Sequence, residues 1–233
     1  MSEDLLREEV LRANLDTVNL GLVISTFGNA SGIDRDSGRI FIKPSGVPYD
    51  LLQADDIVVC DIEGRALDNR LNPSSDLATH AELYRSFPEI GAVIHTHSTY
   101  ATIMAQAHRA IPCFGTTHAD YFHGTIPVTR DLTAAEIGAD YVLNTGKVIV
   151  ETFAALDPMA IPAVLVAGHG PFVWGRTPAE AVHNAFILEE VARMAWHVLS
   201  LDPAAKPISH ALLDRHFLRK HGATATYGQG AQA

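Results

Sequence analysis

Residues 90–97 read "IGAVIHTH". The segment "GAVIH" is apolar and β-branched on both sides of an extended chain, the pattern of a central strand covered on both faces. It runs into two histidines separated by one residue. Side chains alternate along a strand, so His95 and His97 leave the same face and converge at its end. Two readings stand: a hydrogen-bonded strand end that happens to carry imidazoles, or half of a metal site.

Working outward, the segments "RIFIK" (39–43), "DIVVCDI" (56–62), "KVIVETF" and "AVLVAG" read as further strands, and "STFGNASG" (25–32) as a turn-rich loop. "GHGP", between "AVLVA" and "FVWG", predicts a tight link between antiparallel strands. Leu5, Leu6, Val10, Leu11, Leu15 and Val18 recur at helical spacing. "NPSSD" (72–76) has the chemistry of a helix start, with a helix running through "LATHAELYRSF" to Pro88. "TYATIMAQA" reads as helical. Residues 133–144 open on Thr133 with Glu136 three residues on, a capping-box spacing. The long helix after Thr177 carries Pro178 at its first position and Glu180 at its third. A last helix, roughly 209–221, stops at Gly222. These elements predict one α/β domain over residues 1–233: a mixed, largely antiparallel sheet with helices on both faces, and a mobile tail from about residue 223.

The composition sets bounds. Of 233 residues, 47% are hydrophobic and 19% charged, enough for a substantial core. A formal charge of −10 argues against nucleic acid as partner, since a basic footprint is needed to meet phosphates. A small anionic substrate needs only one local cationic pocket. Two cysteines, Cys60 and Cys113, without a CxxC pair point to a reducing compartment. The acidic, amphipathic N-terminus lacks the regions of a signal peptide, and no apolar run approaches the roughly 20 residues of a membrane span. The expectation is a cytoplasmic protein with no membrane partner.

His169, between Gly168 and Gly170 after another apolar strand, offers a third imidazole. Three neutral imidazoles with an open position suit catalytic Zn²⁺, with Mn²⁺ or Co²⁺ as substitutes. "KPSG" (43–46) supplies the charge of Lys43, the hydroxyl of Ser45 and the open backbone of Gly46. "PSSD" (73–76) sets Ser74 and Ser75 at a helix N-terminus, where N–H groups face an anion. Each motif alone also fits ordinary turn and cap chemistry. Beside a metal site they point to a phosphorylated substrate.

In chain order, "TFGNAS", "KPSG", "PSSD", "HTHS", "GTTHADYFHGTIP", "VETF", "GHGPFVWG", "AVHNA", "LEEVA" and "LRKHGA…YGQ" resemble the class II aldolase/adducin-head family over about residues 3–229. Within it they are most similar to the pentulose-phosphate 4-epimerases. The resemblance implies a three-layer α/β/α fold and a divalent metal, most simply Zn²⁺, held by His95, His97 and His169 with Asp76 beside them. It implies a fourfold-symmetric homotetramer with active sites between subunits. Gly28, Asn29, Lys43, Ser45, Gly46, Ser74, Ser75 and Asp76 would bind substrate. Asp120 and Tyr227 would be the acid/base pair, and Arg219 would reach the phosphate from a neighbouring subunit.

The implied reaction interconverts L-ribulose 5-phosphate and D-xylulose 5-phosphate by retro-aldol cleavage of C3–C4, rotation of the aldehyde and re-addition. Arabinose or ascorbate catabolism would each suit as its source. The alternatives are a sugar-phosphate aldolase releasing the aldehyde, and a non-enzymatic interaction module of the adducin-head kind. Aspartate at 76, where the related aldolases carry a glutamate base, favours the epimerase. One departure is Val142, which stands where the resembled epimerase has a glutamate. Taken alone, Asp120 also fits a local turn acceptor and Tyr227 part of a tail.

Overall fold

In a computed structural model of the chain, describing residues 2–67, 70–222 and 225, "GAVIH" lies inside a six-stranded sheet. The strands are β1 (Gly28–Asp34), β2 (Arg39–Ile42), β3 (Val58–Cys60), β4 (Ala92–Thr96), β5 (Ala163–Leu165) and β6 (Pro171–Gly175), in the spatial order β3-β2-β1-β4-β6-β5. Strand β4 is buried along its whole length, with β1 on one side and β6 on the other. All pairings between these strands are antiparallel, so the expected mixed sheet is corrected to a wholly antiparallel one. The parallel contact, Val128 with Leu165, is an isolated bridge outside the named strands.

The helices are α1 (Glu3–Asn19), α2 (Leu77–Ser86), α3 (Thr99–Gln106), α4 (Thr116–Ala119), α5 (Ala134–Thr152), α6 (Pro178–Leu201) and α7 (His210–His221). Their starts follow local chemistry. The side chains of Ser2, Thr133, Thr177 and Ser209 each accept a hydrogen bond from a backbone N–H three residues on. Thr133 and Glu136 complete the reciprocal capping box.

Neighbouring positions of β1 show the three layers. A Cβ at Gly32 would meet Val10 at 2.9 Å and Leu6 at 3.0 Å, both on α1. Ser31, on the other face, hydrogen-bonds His80 and Tyr84 of α2, each at 2.7 Å. This tight packing explains why β1 escaped the sequence: "GNASG" reads as loop because its residues are small, yet small residues are what lets a central strand lie under two helices. Only the start of that stretch is a turn, with Ser25 at φ 57 and a bridge from Ile24 to Phe27.

"KVIVETF" is a second correction. It forms the C-terminal half of α5, not a strand. Its β-branched run favours extended chain in isolation, but Thr145, Val148 and Ile149 are buried at helical spacing, and Gly146 lets the helix close on Glu82 and Thr79 of α2. Trp174 lies fully buried, its Nε1 donating to Pro158 O at 2.7 Å. His183 is exposed on α6 and touches Tyr121 edge-on. No helix among the described residues is long and apolar enough to cross a membrane.

Candidate active site

The open end of β4 carries His95, and His97 follows directly after the strand. The turn between β5 and β6 returns beside them. Gly168 holds φ +69 there, a conformation costly for any side chain, and a Cβ at Gly170 would stand 2.8 Å from Thr96 O. His169 is thereby delivered against the other two imidazoles, and one ligand atom from each of the three lies within 4.8 Å of the others.

The rings are poised for a cation. His95 Nδ1 lies 2.9 Å from Pro171 O. A carbonyl only accepts, so Nδ1 carries the proton and Nε2 keeps its lone pair. His97 Nε2 lies 3.1 Å from that nitrogen. Tetrahedral Zn²⁺ with Zn–N bonds of about 2.0–2.1 Å would set two such nitrogens about 3.3 Å apart. Burial holds all three imidazoles below the ordinary histidine value, His169 down to about 4. They are therefore neutral near pH 7, the form that binds metal. Phe172 stacks on His95 at 4.2 Å, and Phe27 on His97 at 5.6 Å. The residues present fit a divalent ion.

Asp76 occupies the N-cap position of α2 but does not cap it. Its Oδ2 accepts from Asn29 Nδ2 at 2.6 Å. Burial alone would raise its pKa. The imidazoles of His95 and His80 and the Asn29 bond more than offset that, so the carboxylate is held below its usual range. His80, one turn into α2, is fully buried and held near pKa 3 by that burial.

The two serine motifs meet. Ser45 N donates to Asn72 O and Ser74 N donates to Lys43 O, each at 2.9 Å, with Pro44 bridged to Pro73. Lys43 is almost fully buried. Its Nζ donates to Val47 O at 2.8 Å and sits 4.6 Å from the centre of the Tyr49 ring. Burial lowers its pKa. Gly46 takes φ +72 in this loop, with open space where a Cβ would stand. A cavity of about 430 Å³ joins these parts: it is lined by Gly28, Asn29, Lys43, Ser45, Gly46, Ser74, Ser75 and Asp76, together with the three histidines.

Asp120 and Arg219 are not among the cavity's lining residues. Asp120 follows α4 and accepts from Arg219 of α7 at 3.0 and 3.1 Å, with His216 at 3.0 Å and Lys220 at 3.6 Å. Burial works against its charge, but these partners outweigh it and hold the carboxyl below its usual range. Tyr227 lies outside the described residues. Sequence reasoning missed Thr26 and Phe27 on the cavity wall and Tyr141, whose hydroxyl is 3.2 Å from His169 Nδ1. No spacing rule links Tyr141 to His169, because the contact joins α5 to a distant turn.

The profile of the class II aldolase and adducin N-terminal domain family matches residues 8–196. L-ribulose-5-phosphate 4-epimerase UlaF of Salmonella paratyphi B is 52% identical over 224 residues, covering 96% of this chain and 98% of its own. The protein of the same name from Salmonella typhi is also 52% identical over the same shares. Among solved structures, an L-fuculose 1-phosphate aldolase matches with a TM-score of 0.78 at 24% identity, covering 93% of this chain and 95% of that one. The L-fuculose-1-phosphate aldolase of Thermus thermophilus matches at 0.67 and 23% identity, covering 85% and 97%. At these identities the likeness of the two structures is one of fold.

Proposed function

The chain belongs to the class II aldolase and adducin N-terminal domain family, and on that premise we propose that it is an epimerase interconverting L-ribulose 5-phosphate and D-xylulose 5-phosphate. One observation carries the reading. A single cavity is lined by three neutral imidazoles and a carboxylate together with paired serine loops beside a buried lysine. That combination suits a sugar phosphate, with its keto-alcohol end at the imidazoles and its phosphate at the serines.

His95, His97 and His169 would hold the divalent ion, most simply zinc, with Asp76 beside it. The ion supplies Lewis acidity toward the C2 ketone and C3 hydroxyl. Ser45, Ser74 and Ser75, the Gly46 backbone and the α2 N-terminus bind the phosphate. Asn29 Oδ1 is buried and has no protein partner among the described residues, which leaves it to accept from a sugar hydroxyl. Inversion at C4 proceeds by breaking C3–C4. A base takes the C4 hydroxyl proton, the bond electrons pass toward the C2 oxygen, and glycolaldehyde phosphate separates from the C1–C3 enediolate. The serine loops keep the aldehyde in place while it rotates and presents its other face, so re-addition stays intramolecular. Asp120 and Tyr227 are assigned the two proton transfers, one for each orientation of the C4 oxygen. Asp120 is ionised, the protonation state from which a base starts.

Asp120 lies apart from this chain's own cavity lining, which supports a homotetramer whose active sites form between subunits, one subunit offering the histidines and its neighbour Asp120 and Arg219. The working setting is a cytoplasmic sugar-degrading pathway. The test supplies L-ribulose 5-phosphate to metal-loaded protein and follows D-xylulose 5-phosphate, with and without chelator. Epimerised product that vanishes with chelator is expected. Free glycolaldehyde phosphate accumulating in its place would make the protein an aldolase. Asp120→Asn and Tyr227→Phe should each impair turnover while leaving metal bound.

A further inference from the structure

Helix α5 is interrupted. Asp140, in its interior, has φ −146 and ψ 89, far from helical values. The chain turns helical again immediately after it. Asp140 Oδ1 accepts from Leu143 N at 3.0 Å, the bond of an N-cap at the start of a second helix. Two further side chains secure the break. Asn144 Nδ2 donates across it to Glu136 O at 2.9 Å, and Thr79 of α2 donates to Val142 O at 2.6 Å.

The residue set by this break is Tyr141. Its hydroxyl lies 3.2 Å from His169 Nδ1, and the ring centres are 6.2 Å apart. His95 is steadied by the Pro171 carbonyl and a stacked Phe172. His169 instead sits in a turn between two glycines, and among the described residues Tyr141 is the hydrogen-bond partner of its Nδ1.

We propose that Tyr141 is a positioning residue for the metal centre: its hydroxyl holds Nδ1 of His169 so that Nε2 is the nitrogen presented to His95 and His97, and the break in α5 aims it there. With Nε2 as ligand, Nδ1 carries the proton and donates to the phenol oxygen. A partner on the outer nitrogen fixes both tautomer and ring angle, and losing such a partner weakens metal binding by about 10–100-fold. This inference rests on the metal reading of the three histidines.

The experiment measures zinc affinity against a competing chromophoric chelator, and the visible spectrum of the Co²⁺-substituted protein, for wild type, Tyr141→Phe, Asp140→Ala and the double variant. Tyr141→Phe keeps the ring and removes only the hydroxyl. Expected are zinc binding weaker by about tenfold or more, altered Co²⁺ bands, and an unchanged Tm of the metal-free protein. Asp140→Ala should weaken zinc binding in the wild-type background and add nothing once the hydroxyl is gone. Wild-type affinity and wild-type Co²⁺ bands in Tyr141→Phe would overturn the proposal. Equal losses from Asp140→Ala in both backgrounds would overturn the route through the helix break. Wild type that binds no stoichiometric zinc would instead defeat the metal reading itself.

Discussion

Asn29 Nδ2 donates to Asp76 Oδ2 at 2.6 Å, joining the second residue of β1 to the residue that precedes α2. The bond crosses from the sheet to the helical layer and orients a half-buried carboxylate beside three imidazoles. A hydrogen bond to a charged group contributes about 1.5–3 kcal/mol. Asn29→Ala should therefore lower kcat/KM by about 10–100-fold, at about 1.4 kcal/mol per tenfold. Asn29→Asp should be worse, because a second carboxylate would face the first. Steady-state kinetics of both variants decide the matter, and wild-type values in Asn29→Ala would detach this bond from the site's function.

Metal removal gives a second expectation. His95 is already held by Pro171 O and Phe172 without an ion, so stripping the metal should leave the fold intact. Activity should vanish on dialysis against chelator and return with Zn²⁺, Mn²⁺ or Co²⁺. Because the ion binds the native state, Tm should climb with its concentration. Thermal melts over a metal titration check this. A Tm indifferent to every divalent ion would exclude the three histidines as a site.

The histidines were legible because a strand forces i and i+2 to one side, and because His169 stands between glycines after another apolar strand. The serine loops were legible from turn chemistry, but not their direct bonding to each other through Pro44, Pro73, Lys43 and Ser74. That is a fact of folding together, not of either segment. β1 was hidden because its run Gly28, Asn29, Ala30, Ser31 and Gly32 has no apolar pattern of its own; the packing of α1 on one face and α2 on the other supplies the reason for it. The second half of α5 misled in the opposite sense. "VIV" has strand propensity, and the packing of Gly146 against α2 overrode it. Tyr141 stayed out of reach because its role depends on a break in that same helix.

Packing at the start of β4 makes a stability prediction. A Cβ on Gly91 would stand 2.0 Å from Arg176 O, and backbone there is pinned by Gly91 N donating to Gly175 O at 2.8 Å. Gly91→Ala must displace β4 from β6, and overpacking of this kind costs about 1–3 kcal/mol or more. Gly115→Ala, with nothing within 4 Å of the added atom, is the control. Urea unfolding should show a clear loss for the first and almost none for the second. Equal midpoints would mean that the β4–β6 edge yields without cost.

The last prediction concerns acid. His118 Nε2 donates to Gly124 O at 2.7 Å in a buried setting, and burial holds its pKa down to about 4. In the unfolded chain the value is about 6.5. Between these values the unfolded state binds more protons than the native one, so stability rises with pH across the window. The contribution of His118 is complete above about pH 6.5 and is lost as pH falls toward 4, a difference of about 3 kcal/mol at roughly 1.36 kcal/mol per unit. His118→Gln keeps a donor for the Gly124 carbonyl and removes the titration. Urea unfolding of metal-free protein at steps from pH 7 to 4 should give the variant a shallower decline than wild type. Other buried groups, His80 among them, titrate in both proteins and cancel in the comparison. Parallel curves would show that His118 takes up its proton without leaving the native state.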